Sequence, residues 1–149
     1  MTPATWWTTG RPEGVVIHHS GVEGDTILST IKYHTGPPPK GRGWSSTYHY
    51  LVDREGACHA SGDDHNGYNG TDYANRHYLS VCALGNYNAR QSMPEAQRQM
   101  MIAVLKELKQ KYPHITPAVV FRHEAVNPKK KGECPGRYFP DVELRAIFA

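Results

Sequence analysis

The sequence predicts a single mixed α/β domain, a central sheet flanked by helices. Three observations lead there. Short apolar runs recur along the chain: Val15-Val16-Ile17, Leu79 to Leu84, and Ala118 to Phe121. Each is too short for a buried helix and suits a buried strand. Between the last two, Met101, Val104, Leu105, Leu108 and Tyr112 fall at i, i+3, i+4, i+7 and i+11, an amphipathic helix. The chain has 149 residues, 38% of them hydrophobic, which suits one core and one domain over 1–149. Strands interleaved with helices give the mixed α/β class.

The elements follow in order. Residues 1–13 read as an irregular leader that docks through Trp6 and Trp7. Gly14 to Ser20 is a buried strand ending at two histidines. Asp25 is the expected N-cap of a helix through about His34, with Ile27, Leu28 and Ile31 on one face. The segment from Gly36 to Gly43, with three consecutive prolines, cannot continue it. Thr47 to Asp53 alternates, placing Tyr48, Tyr50 and Val52 on one face and His49 and Leu51 on the other. The turn Asp53 to Gly56 then closes a hairpin with Ala57 to Ala60. Ser61 to Asn75 is polar and rich in Gly, Asn and Asp, so a surface loop is expected. Ser92-Met93-Pro94-Glu95 has a capping-box pattern ahead of the long helix, and Pro113 ends that helix. A strand at Ala118 to Arg122 runs into His123, and a last helix is expected from an Asp141 N-cap through Ile147.

Composition excludes several classes. No apolar run approaches the roughly 20 residues of a membrane span, so membrane insertion is not expected. Met1 to Arg11 lacks the basic-then-apolar order of a secretory signal. A net charge of +3 and one lysine run, Lys129 to Lys131, are a weak basis for nucleic-acid binding, and none is expected. Cys58, Cys82 and Cys134 are odd in number and form no Cys-x-x-Cys pair. Cys58 and Cys82 lie in apolar stretches and read as buried structural thiols. Cys134 lies in the polar loop Lys131-Gly132-Glu133-Cys134-Pro135-Gly136, where packing does not explain it.

The chemistry gathers at strand ends. His18 and His19 close one strand, His123 follows another, and Cys134 comes 11 residues later. Two imidazoles and a thiolate form a zinc set that leaves a fourth position for water, the pattern of catalytic zinc. Nine histidines make such a triple easy to find, so on residue types alone it stays one reading among several. Adjacent strand side chains point to opposite faces, so His19 is expected beside the set rather than in it. His34 is expected on a groove wall or plain surface, His49 packed behind Tyr48 and Tyr50, and His59, His65, His77 and His114 on solvated surface. Tyr73, Tyr78 and Tyr87 are candidates to line a sugar or peptide groove.

The strings VVIHHS, STYHYLVDREG, LSVCALGNYN and RHEAVNPKKKGECPG, in that order, resemble the zinc-dependent N-acetylmuramoyl-L-alanine amidases. That family includes small phage endolysins and is related to the peptidoglycan recognition proteins. The resemblance runs from about Gly14 to about Asp141 and implies Zn2+ held by His18, His123 and Cys134. It implies Tyr48 as the active-site tyrosine. Cys82 stands where some members carry a catalytic glutamate, so that role is absent. The family commonly has lysine two residues before its last ligand, and here that position is Gly132. Lys131 is therefore the expected catalytic lysine, with Lys130 and Lys129 as rivals.

The implied activity is hydrolysis of the amide between N-acetylmuramic acid and L-alanine in bacterial peptidoglycan, by a single catalytic domain without a separate cell-wall-binding domain. A phage endolysin made in the host cytoplasm, monomeric and released to the wall, is expected; cytosolic muropeptide recycling stays open. The competing readings are a non-catalytic peptidoglycan-binding protein and a regulatory protein of the same fold. Loss of the cysteine ligand typically marks the binders, and Cys134 is present.

Overall fold

The computed structural model describes residues 7–149. Trp6 and the rest of the first six residues lie outside the described residues. Five strands form one sheet in the order β3-β2-β4-β1-β5. They are β1 (Gly14–His19), β2 (Tyr50–Val52), β3 (Cys58–Ala60), β4 (Tyr78–Ala83) and β5 (Val120–Arg122). β1 pairs in parallel with β4 and β5, β4 with β2, and only the β2–β3 hairpin is antiparallel. The central strands β1 and β4 are covered on both faces, which is why they read as continuous apolar runs.

One face carries the main core. α3 (Glu95–Lys111) lays Met101, Val104, Leu105 and Leu108 onto Val15, Ile17, Leu79 and Val81. Gln97 belongs to the same buried stripe. Its amide nitrogen donates to the carbonyls of Val52 and Leu84, and the Tyr87 hydroxyl donates to its oxygen. These bonds tie the helix to polar backbone at the ends of β2 and β4. The opposite face holds a smaller cluster of Leu51, Cys82 and Leu84, covered by Ile27 and Ile31 of α1 (Ile27–Thr35) and by Tyr48. His18, Cys82 and Leu51 are in register across β1, β4 and β2, so they share this face.

Several sequence expectations are corrected. The N-cap of α1 is Thr26, in a reciprocal capping box with Ser29, not Asp25. Asp25 pairs instead with Arg54. Leu28 is 62% exposed; the buried face of α1 runs through Thr30 and His34. Cys58 is exposed, because β3 is an edge strand. Strand β2 begins only at Tyr50, so the alternation does not extend back to Tyr48, which packs with Leu51 rather than with Tyr50 and Val52. No side chain caps α3; Glu95 in its first turn accepts from Arg98 and Gln99. Part of the expected loop Ser61 to Asn75 is helical: α2 (Asp72–His77) begins after a Thr71 cap. The remaining helices are α4 (His123–Val126) and α5 (Asp141–Arg145), the latter continued by a 3-10 turn over Ala146–Phe148. Pro140, not Asp141, is the N-cap of α5, and the Asp141 carboxylate binds Arg122 and Arg145. Trp7 docks as expected, buried against His49 with its indole N–H on the Asp63 carbonyl.

Candidate metal centre and cleft

Parallel pairing brings the two expected histidine ligands together. β5 lies beside β1 with Ile17 opposite Arg122, so the residue after β5 emerges next to His18. That residue is His123, the first of α4. The two imidazole centroids are 4.3 Å apart. Cys134 returns from the following loop, whose backbone is anchored by the Glu124 amide donating to the Cys134 carbonyl. Its Sγ lies 3.9 Å from His18 Nδ1. One donor atom from each of His18, His123 and Cys134 falls within 4.8 Å of the others, and all three residues are buried. Among the described residues this is the one such His/Cys/Asp/Glu group.

The hydrogen bonds orient the imidazoles. His18 Nε2 donates to Asn69 Oδ1 at 2.8 Å. The direction follows from the Asn69 amide nitrogen, which already donates to the carbonyls of Ala74 and Tyr78. His123 Nε2 donates to the Asn69 main-chain carbonyl at 3.0 Å. With Nε2 protonated in both rings, both Nδ1 lone pairs are left for another partner. His123 Nδ1 is buried without one. Buried polar atoms are nearly always paired, so an orphan His123 acceptor beside a thiol that contacts the His18 Nδ1 fits a cation. His19 is spent elsewhere: its Nδ1 accepts from the Tyr87 amide and its Nε2 donates to the Glu133 carbonyl, which laces the Cys134 loop to β1.

Burial sets the protonation states. It holds His18 well below the ordinary imidazole value, with the neighbouring His123 acting in the same direction. It holds His123 down at about 4. Both rings are therefore neutral at pH 7 and able to act as ligands. Burial pushes the Cys134 thiol up to about 12. A bound cation has to displace that proton, as metal–thiolate bonding does.

The centre opens into a cleft of about 1010 Å³. Tyr48 lines it, half-buried, with its ring stacked on His18 at 4.5 Å. Burial raises its phenol well above the ordinary value, so it stays protonated. Of the two places expected for His34, groove wall and plain surface, it takes the wall, hydrogen-bonded to Thr47 Oγ1 at 2.7 Å. Trp44 stacks on Tyr68 at 4.2 Å, under the guanidinium of Arg42. Of the tyrosines expected to line a groove, Tyr87 is wholly buried and Tyr73 and Tyr78 lie outside this cleft. Tyr33, Tyr48 and Tyr68 line it instead.

The lysine run resolves unevenly. Pro128–Lys130 forms a 3-10 turn that points Lys130 to the cleft, where its charge is felt at both His123 and Cys134. Lys131 is exposed, absent from the lining, and its charge reaches Glu124. Three histidines expected on solvated surface have partners: His65 with Ser61, His77 with the Tyr73 carbonyl, and His114 with the Pro12 carbonyl. Asn69 is the residue that sequence reasoning missed. Its one signal is an asparagine between Tyr68 and Gly70, which in a polar stretch looks like any turn.

A family model for N-acetylmuramoyl-L-alanine amidase, Amidase_2, matches residues 8–137. No curated protein sequence matches the chain. Among solved structures, the N-acetylmuramoyl-L-alanine amidase LysC from Clostridium intestinale URNW superposes with a TM-score of 0.75 at 26% identity, over 91% of this chain and 83% of that one. The Ph2119 endolysin of the Thermus scotoductus MAT2119 bacteriophage gives 0.71 at 20%, over 93% and 85%. Drosophila PGRP-LB gives 0.69 at 20%, over 89% and 79%. The last two share the fold.

Proposed function

The chain belongs to the N-acetylmuramoyl-L-alanine amidase family, and from that premise we propose a zinc-dependent peptidoglycan hydrolase acting as a phage endolysin. It cleaves the amide that joins N-acetylmuramic acid to L-alanine. The observation that carries this reading is the convergence of His18, His123 and Cys134, with His123 and Cys134 lining the cleft and His123 Nδ1 left unpartnered. Zinc held there by His18, His123 and Cys134 would supply a Lewis acid able to make hydroxide available near neutral pH.

The chain's own residues do the rest. The protonated Tyr48 phenol is a hydrogen-bond donor at the cleft floor, suited to the oxyanion that develops as the amide is attacked. Lys130 is the cation of the run that lines the cleft and takes the catalytic-lysine role in place of Lys131. It stabilises developing negative charge there or delivers a proton to the leaving amine. The Trp44–Tyr68 stack lines the cleft with aromatic surface, and Arg42 adds a positive charge, for a sugar–peptide substrate carrying carboxylates. Residues 1–149 act as one catalytic domain. Among the described residues no helix is long and apolar enough to cross a membrane, in keeping with an enzyme that works on the wall after release from the host cytoplasm.

The test is digestion of purified peptidoglycan, with chelator and zinc add-back, followed by end-group analysis. New L-alanine amino termini without new reducing sugar ends, lost with chelator and restored by zinc, are expected. New reducing ends would refute the reading. Binding without cleavage would leave a peptidoglycan-binding protein.

A further inference from the structure

Asn69 makes one bond to each expected histidine ligand, and it is wholly buried. Its side-chain oxygen takes the Nε2 proton of His18, and its main-chain oxygen takes that of His123. Its position is itself over-determined: the amide nitrogen donates to Ala74 and Tyr78, and the backbone N–H donates to the Asn75 side chain. The next residue, Gly70, sits at φ +85°, and a Cβ there would fall 2.2 Å from Asn127 Nδ2 and 3.2 Å from His123 Nε2. The chain must pass this close for the Asn69 carbonyl to reach His123, and only glycine fits.

Resting on the zinc reading above, we infer that Asn69 is a positioning residue that fixes the tautomer and ring angle of both histidine ligands at once. One residue between Tyr68 on the cleft wall and α2 thus presents both Nδ1 lone pairs to the site. Neither ring can turn to offer Nε2 without leaving a buried carbonyl or amide oxygen unpaired, a costly state. Partners that orient ligating histidines typically change metal affinity 10- to 100-fold when removed.

The side-chain bonds separate the two jobs of Asn69. Asn69→Ala removes the acceptor for His18 together with the two donors to Ala74 and Tyr78. Asn69→Asp keeps the acceptor and loses the donors. Zinc affinity is measured for each protein by competition with a chromophoric chelator, alongside the cobalt-substituted absorption spectrum and the melting temperature. Both variants are expected to melt below wild type. Asn69→Ala is expected to bind zinc roughly 10- to 100-fold more weakly and to shift the cobalt bands. Asn69→Asp is expected to bind within a few-fold of wild type. Wild-type affinity in Asn69→Ala, or equal losses in the two variants, would overturn the inference. A reading independent of any variant is the nitrogen NMR of His18 and His123 in metal-free wild type. Both rings are expected as the Nε2–H tautomer, and an Nδ1–H form in either overturns it. Wild-type protein that takes up no zinc, with the tautomers as expected, overturns the ligand assignment and the inference with it, and is told apart by the same spectra.

Discussion

The Tyr48 ring lies stacked on the His18 imidazole, centroids 4.5 Å apart and planes 30° from parallel. The ring thus packs against one of the three residues that the proposed metal centre uses. Tyr48→Phe keeps the stacking surface and removes the donor. Turnover is expected to fall by roughly 100-fold, about 2.7 kcal/mol of barrier, with zinc content unchanged. Unchanged turnover in a steady-state assay would take Tyr48 out of the reaction.

Lys130 and Lys131 are neighbours with different surroundings, since one faces the cleft and the other faces solvent. Lys130→Ala is expected to lower kcat by roughly 100- to 10,000-fold, and Lys131→Ala to leave it within about two-fold. The reverse ranking in parallel kinetics would return the catalytic role to Lys131.

His49 is a buried group whose protonation opposes folding. Its Nδ1 accepts from the Ser80 amide and its Nε2 donates to the His65 carbonyl, so a second proton would set two N–H groups against each other. Burial foremost holds its pKa at about 3, against an ordinary 6.5, the His65 bond opposing in part. Between those values the unfolded chain binds a proton that the folded one does not. Its contribution is complete above pH 6.5 and is lost as pH falls toward 3, by up to about 1.4 kcal/mol per unit. Denaturant titrations from pH 7 to 4 are expected to show a shallower loss in His49→Gln than in wild type. Parallel curves would mean that His49 contributes nothing to the acid sensitivity.

Gln97 joins α3 to the ends of β2 and β4 through the Val52 and Leu84 carbonyls. Gln97→Leu fits the apolar stripe but leaves two carbonyls and the Tyr87 hydroxyl without this partner. A loss of roughly 2–4 kcal/mol in chemical denaturation is expected, and a stabilised variant would contradict the role.

What the sequence made legible follows the strength of its periodic signals. β1, β4 and α3 carry uninterrupted apolar patterns, so their type and approximate ends were readable. His18, His123 and Cys134 were readable because strand ends and a loop that packing does not explain marked them, with the family resemblance choosing among nine histidines. What depended on tertiary contact was not. Asn69 and α2 lie in a polar stretch, and the burial of Asn69 comes from the histidines and the strand start that it bonds. Leu28 and Cys58 are apolar by type but fall where no layer covers them. The facing of Lys130 rather than Lys131 is set by a 3-10 turn that a run of identical side chains does not signal.

The most direct measurement is zinc K-edge absorption spectroscopy on the purified protein, with the metal counted per chain. One zinc is expected, with a single sulfur near about 2.3 Å, nitrogen ligands at about 2.0–2.1 Å, and loss of the sulfur in Cys134→Ser. A bound zinc whose nearest shell holds no sulfur, or a chain that retains no zinc at all, would contradict the centre built from His18, His123 and Cys134.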